Sequence, residues 1–226
     1  MNNQERKVHL FDVDHTLVRK NTATFFIFIA MKHKIIRFSQ VKSLILDLIK
    51  YKIGRPDIDF IEKSINKLAG IKKSDLENIA QICFQTKIKQ NIYSNAALLI
   101  KEAQKKGEKV IFATSSLDFI IKPIEDFFGI EGSLVTSLEY NGGKTTGKLN
   151  GYGLFGKKKK TAAIAWMEKN GIRPQDVSFY SDSYTDIPLL EYCGNPVVVN
   201  PDMKLKRKAK KNGWKILRFK ELLPAK

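Results

Sequence analysis

Short apolar runs that end on polar side chains alternate along this chain with stretches whose apolar residues recur every three or four positions. Lys7-Val8-His9-Leu10-Phe11 reads as a strand that runs straight into Asp12. From Asn21 to about Asn91 the texture is helical. The spacing in Phe25-Phe28-Ile29, Val41-Leu44-Ile45-Leu48, Ile58-Ile61-Ile65-Leu68 and Leu76-Ile79-Cys83 predicts four successive helices. Gly54-Arg55-Pro56 and Gly70 punctuate them, and Ser74 with Glu77 three residues on predicts a capping box for the fourth. No strand pattern interrupts this block, so an all-helical insert is expected.

Beyond it, helix and strand alternate. Asn95 to Lys106 predicts a helix stopped by Gly107, and Val110 to Ala113 a buried strand ending at Thr114-Ser115-Ser116. Leu117 to Phe128 is the next helix, and Ser133 to Lys148 reads as a hairpin with Asn141-Gly142-Gly143 at its tip. Lys158 to Asn170 is helical, and Val177 to Tyr180 is a strand that ends at Ser181-Asp182. Ile187 to Tyr192, Pro196 to Val199, Met203 to Lys211 and Lys215 to Leu217 complete the series. Such repetition implies an α/β fold, a parallel sheet covered on both faces. The expected organisation is a core formed by residues 1–20 and 92–226, with the helical insert at 21–91 following the first strand.

Size and composition leave this picture standing. A chain of 226 residues can bury about 70–75% of its unfolded surface, so it needs no disulfide or structural metal to fold. Its 43% hydrophobic and 28% charged residues fit a globular protein. The longest apolar stretch, Ala23 to Met31 with Thr24 inside it, falls far short of the ~20 residues of a membrane span. Met1 to Lys7 is polar, and the run after it already holds Asp12 and Asp14, so no secretory leader is expected. Cys83 and Cys193 lack metal-type spacing and fit a reducing cytoplasm, the expected location. The net charge of +17 raises nucleic acid as a partner, but only seven of the forty basic residues are arginine. Base and phosphate readers rely on the bidentate guanidinium fork, so lysine-rich solvated helix faces are the preferred reading and nucleic acid is disfavoured.

Chemistry-bearing side chains gather where strands end. Asp12 and Asp14 follow the first strand, Thr114 to Ser116 the second, and Asp182 with Asp186 a later one. In an open parallel sheet these positions converge on the crevice at the carboxyl ends of the strands. Carboxylates brought together there repel unless a cation sits among them, and hard oxygen donors without His or Cys point to Mg²⁺. One carboxylate can then attack covalently while its neighbour two positions along moves a proton.

These residues resemble the haloacid-dehalogenase-like (HAD) phosphatases. Asp12-Val13-Asp14-His15-Thr16 is similar to their Asp-x-Asp-x-Thr motif behind a hydrophobic strand. Thr114 ends a hydrophobic strand as their second motif requires, and Lys159, 23 positions before Asp182 at the head of a helix, resembles the third. Ser181-Asp182-Ser183-Tyr184-Thr185-Asp186 resembles the fourth, Gly-Asp-Ser-x-x-Asp, with Ser181 in place of Gly. Asp186-Ile187-Pro188-Leu189-Leu190, Val199-Asn200-Pro201-Asp202 and Gly213-Trp214-Lys215-Ile216-Leu217 look like the phosphoserine-phosphatase-like subfamily, which carries a helical cap of type C1 where the insert falls.

The resemblance implies a Rossmann-like three-layer core and a Mg²⁺-dependent phosphatase acting on a small phosphorylated metabolite. Asp12 would be the nucleophile and form an aspartyl-phosphate, and Asp14 the general acid and base. Thr114, Ser115 and Lys159 would hold the phosphoryl group. The metal would lie among Asp12, Asp14 (through its backbone carbonyl) and Asp182, with Asp186 at its edge. Lys157, Lys158 and Lys160 flank Lys159 and leave the choice among them to its spacing. Asn21 stands where phosphoserine phosphatases place a Glu that reads the substrate ammonium, and Lys63 where they use a cap Arg. Phosphoserine is therefore not the expected substrate, and an amino-alcohol phosphate such as histidinol phosphate, or an ester with an apolar leaving group, fits better. A phosphotransferase or phosphomutase on the same scaffold, and a basic nucleic-acid-binding protein with a vestigial core, are the alternatives.

Overall fold

The computed structural model describes residues 7–36 and 65–224. The expected helix at Val41 to Leu48, most of the one beginning at Ile58, and Lys63 lie outside the described residues. The described residues form the strands β1 (Val8–Phe11), β2 (Lys109–Leu117), β3 (Leu134–Thr136), β4 (Leu138–Asn141), β5 (Lys144–Leu149), β6 (Val177–Ser181), β7 (Asn195–Val199) and β8 (Lys215–Leu217). The α-helices are α1 (Thr22–Lys32), α2 (Lys73–Cys83), α3 (Ser94–Lys105), α4 (Asp118–Phe128), α5 (Lys157–Lys169), α6 (Ile187–Leu190) and α7 (Met203–Asn212).

Six strands form one parallel sheet in the order β3-β2-β1-β6-β7-β8. Alternation along the strands divides the interior into two cores, because successive side chains point to opposite faces. Phe11, Val110, Phe112, Tyr180, Val197 and Val199 face the side covered by α3 and α4. Val8, Leu10, Ile111, Ala113, Phe179 and Val198 face α5, α6 and α7. The result is the three-layer α/β sandwich expected from the sequence. The strand order reverses at β1, which pairs with β2 on one side and β6 on the other. That switch point opens a crevice above the carboxyl ends of β1 and β6, where a doubly wound sheet takes its ligand. Asp12 is anchored over it, its amide donating to the Tyr180 carbonyl at 2.9 Å.

Between residues 21 and 91 the described residues are helical, apart from Asn21, the turn at residues 33–36, the turn around Gly70 and the lead-in to α2. The two chain crossings into and out of this block are laced together. Arg19 N–H donates to the Asn91 carbonyl at 2.8 Å and Tyr93 N–H to that of Leu17 at 2.9 Å. The Arg19 guanidinium adds a bond to Asn91 Oδ1 at 3.1 Å. The return crossing contains a π-helical turn, Phe84–Ile88.

Three local expectations differ from the structure. The hairpin is β4 and β5, turned at Gly142-Gly143, but Leu134–Thr136 leaves it and joins the main sheet beside β2. A three-residue strand carries too little pattern to announce its partner. The capping box does not form: α2 begins at Lys73 with Lys72 as N-cap and no side-chain cap. The free Lys73 amide is satisfied by the Gly143 carbonyl of the hairpin tip at 2.9 Å, so tertiary contact replaces the side-chain cap. Finally, β2 continues through Thr114-Ser115-Ser116 to Leu117 with an irregular register against β3. An irregularity of this kind re-aims side chains, and here it falls on the polar triplet that faces the crevice. Among the described residues no helix is long and apolar enough to cross a membrane.

Candidate active site

The crevice gathers side chains from four segments. β1 ends on Asp12 and leads to Asp14, β2 carries Thr114 and Ser116, the first turn of α5 carries Lys159, and the loop after β6 carries Asp182 and Asp186. Asp12 is 6% exposed, Lys159 3% and Asp186 1%, so a compact charged cluster sits in a dry pocket. Burial of charge is costly unless it is paired. The Lys159 ammonium lies 2.8 Å from Asp186 Oδ2 and 3.3 Å from Asp12 Oδ1. Of the four consecutive lysines it is the one turned into the crevice. Lys158 lies over the Tyr152 ring and Lys160 over Tyr192.

One ammonium does not neutralise the cluster. Burial, with Asp186 and Asp14 adding repulsion against the pull of Lys159, pushes the Asp12 carboxyl up to about 7. Burial also raises Asp182 well above the usual carboxylate range, with further repulsion from Asp12 and Asp186. Asp186 Oδ2 accepts from both Lys159 and the Ser181 hydroxyl, the latter at 2.7 Å, whereas its Oδ1 is buried without a hydrogen-bond partner. Ser181, which stands where the family motif has Gly, thus fixes the Asp186 carboxylate and also accepts from Ser183 N–H at 3.2 Å. Asp186 precedes α6 as its N-cap residue, but its side chain makes no cap bond to that helix.

The excess of hard oxygen donors over compensating cations is what a divalent cation such as Mg²⁺ suits. Among the described residues no three His, Cys, Asp or Glu side chains form a ready-made metal cage. The Asp14 carboxylate is taken up by donors from α1 and β2. Its Oδ1 accepts from Thr22 N–H at 2.8 Å, and its Oδ2 from Asn21 Nδ2 at 2.8 Å and Ser116 Oγ at 3.1 Å. With that carboxylate engaged, the main-chain carbonyl expected from the sequence is the part of Asp14 left to share in a metal site. Asp12, Asp182 and the unpartnered Oδ1 of Asp186 are the carboxylate groups that could serve, and Thr16 Oγ1 steadies Asp182 Oδ1 at 3.4 Å.

Other expected residues fall as follows. Thr114 is fully buried and accepts from Ser116 N–H at 3.3 Å, while Ser115 is half-buried beside it. The triplet does not cap α4, whose N-cap Leu117 makes no side-chain bond. Asn21, expected at the substrate, has both ends of its amide engaged inside the protein. Its Nδ2 donates to Asp14 and its Oδ1 accepts from Thr24 N–H and Thr24 Oγ1, capping α1. Ser116 and Thr22, whose hydroxyls lie 3.1 Å apart, were not among the predicted site residues. The polar triplet after the second strand was the available signal for Ser116, and none marked Thr22.

The sequence pattern of the haloacid dehalogenase-like hydrolases matches residues 9–191. A histidinol-phosphatase of Neisseria meningitidis is 29% identical over 95% of this chain and 100% of its own length. A phosphoserine phosphatase of Mycobacterium tuberculosis is 27% identical over 93% of this chain and 70% of its own. The crystal structure of a Bordetella pertussis protein of unknown function superposes with a TM-score of 0.84 at 26% identity, over 94% of this chain and 98% of that one. A phosphoserine phosphatase solved as a phospho-aspartyl intermediate analogue shares the fold, with a TM-score of 0.68 at 20% identity over 96% and 94% of the two chains. With the motif residues assembled at the switch point and the pattern spanning most of the sequence, the chain belongs to the haloacid dehalogenase-like hydrolase family.

Proposed function

We propose that this hydrolase acts on a small phosphomonoester in two steps, through an aspartyl-phosphate on Asp12. The enzyme is a phosphoric monoester hydrolase, and the division of labour between its two motif I carboxylates carries the finer reading. Asp12 is buried against Lys159 at the floor of the crevice, while Asp14 is held two residues further on by three donors from α1 and β2. A nucleophile needs a fixed approach to phosphorus, and a proton carrier needs a fixed approach to the leaving oxygen. Asp12 would attack phosphorus and displace the alcohol, to which Asp14 gives a proton. Asp14 would then take a proton from the water that hydrolyses the acyl phosphate. Lys159 and Thr114 would hold the non-bridging oxygens. Asp12 and Asp182 would hold Mg²⁺, which would supply neutralisation of phosphoryl charge.

The described parts of the insert, residues 21–36 and 65–91, serve as a cap at the crevice, a reading supported by the two laced crossings near Asp14. Asn21 faces Asp14 and offers no carboxylate to a substrate ammonium, which speaks against phosphoserine. Similarity to a histidinol-phosphatase favours an amino-alcohol phosphate. The test is phosphate release from a panel of phosphorylated metabolites with Mg²⁺ and with EDTA, alongside Asp12→Asn. Metal-dependent release that Asp12→Asn abolishes is expected. Wild-type turnover by Asp12→Asn would overturn the assignment, and a kcat/KM for phosphoserine far above all other esters would overturn the substrate class.

A further inference from the structure

Asp14 is the most heavily tethered carboxylate in the site, and its three donors come from two different parts of the molecule. Thr22 N–H and Asn21 Nδ2 belong to the first turn of α1, where Asn21 is also the N-cap. Ser116 Oγ belongs to the irregular end of β2, on the other side of the crevice. The two sides are joined, since Thr22 Oγ1 and Ser116 Oγ lie 3.1 Å apart and both residues are buried. Asp14 Oδ2 therefore sits between the Asn21 amide and the Ser116 hydroxyl, and Oδ1 rests on the start of the helix. A carboxylate with both oxygens bound has lost its freedom to rotate about the Cβ–Cγ bond. Its remaining lone pairs can point in one direction only.

The structure assigns Asn21 and Ser116 as positioning residues that aim the Asp14 carboxyl at the leaving-group oxygen of the substrate. This deepens the proposed function and rests on Asp14 being the proton carrier. Neither residue would touch the phosphoryl group. Asn21, occupied at both ends of its amide, acts through Asp14 and not as a reader of substrate charge. Proton delivery is thereby made to depend on the seating of α1, the first element of the insert.

The consequence is specific to the leaving group. Breaking a P–O bond to an alkyl alcohol needs a proton on the departing oxygen, while 4-nitrophenolate leaves without one. In kcat/KM, which reports the steps through departure of the alcohol, misaiming Asp14 penalises the alkyl ester selectively. The test compares glycerol 2-phosphate with 4-nitrophenyl phosphate for the wild type, Ser116→Ala, Asn21→Asp and Asp14→Asn. Asn21→Asp keeps the capping oxygen for Thr24, so the helix start is preserved, and replaces the bond donated to Asp14 by repulsion between two carboxylates.

For Asp14→Asn the alkyl ester should lose about 10²–10⁴-fold in kcat/KM, with a much smaller loss on the aryl ester. Ser116→Ala and Asn21→Asp should each show the same skew, with the alkyl ester falling about tenfold or more relative to the aryl ester. Equal losses on both esters, or none, in those two variants while Asp14→Asn keeps its skew would overturn this inference alone. An Asp14→Asn variant without skew would remove the general-acid reading and this inference with it. Unfolding curves on all four proteins identify a folding defect, which lowers both rates by one common factor and leaves the skew readable.

Discussion

The Lys159 ammonium lies 2.8 Å from Asp186 Oδ2, and both side chains are almost wholly removed from water. A buried pair of this kind contributes little net stability compared with an apolar pair, but removing one partner strands the other charge. Lys159→Met should therefore lower unfolding stability by about 3–5 kcal/mol in urea denaturation. Adding Asp186→Asn to that variant should recover part of the loss, because it removes the stranded charge. Strict additivity of the two substitutions would contradict a direct coupling.

Asp12 carries a cost that its chemistry requires. The folded state holds its proton up to about pH 7, whereas the unfolded chain releases it near 4. Between those values the unfolded state binds fewer protons, so stability falls as pH rises from about 4 to about 7 and then levels off. Asp12→Asn removes the Asp12 share of this dependence and leaves that of Asp182. In EDTA at pH 7.5 the variant should be more stable than wild type, on the order of 2–4 kcal/mol, with the gap closing towards pH 4. A variant with a lower Tm than wild type at pH 7.5 would argue against the burial cost, whatever its activity.

The laced crossings make a prediction about exchange. The Arg19 and Tyr93 amides are bound across the two connections at 2.8 and 2.9 Å. They should remain protected from deuterium exchange in the free enzyme and with Mg²⁺ and vanadate. Ligand-dependent changes should instead fall between them, in the segment from Ala23 to Gln90. Rapid exchange at Arg19 or Tyr93 in the free enzyme would show that the crossings themselves open.

Cys83 and Cys193 are both buried, and burial pushes each thiol up to about 12. Thiolate is the reactive form, so at pH 8 neither should react with Ellman's reagent in the native state. Two thiols should titrate in guanidinium. Prompt labelling of one native thiol, read by intact mass, would place that cysteine nearer the surface than the structure does.

Local patterns in the sequence were sufficient for the elements and for the chemistry aligned with them. The apolar runs Val8 to Phe11 and Pro196 to Val199 were enough to place strands, and strand geometry then sends successive side chains to the two faces. Asp12, Thr114, Lys159 and Asp182 stand where their spacing puts them, at strand ends and a helix start, since those positions converge in any sheet of this winding. Only the folded chain decided who bonds to whom. Asn21 has the composition of a substrate contact but is turned to Asp14, because the first turn of α1 lands beside that carboxylate. Ser116 and Thr22 meet across 94 residues of sequence. Lys73 takes the Gly143 carbonyl and makes the capping box redundant, and Leu134–Thr136 leaves a local hairpin for the edge of β2. Most of these choices are hydrogen bonds between groups far apart in the chain. Such partners are selected by burial, which forces polar groups to pair with whatever the packing brings within reach.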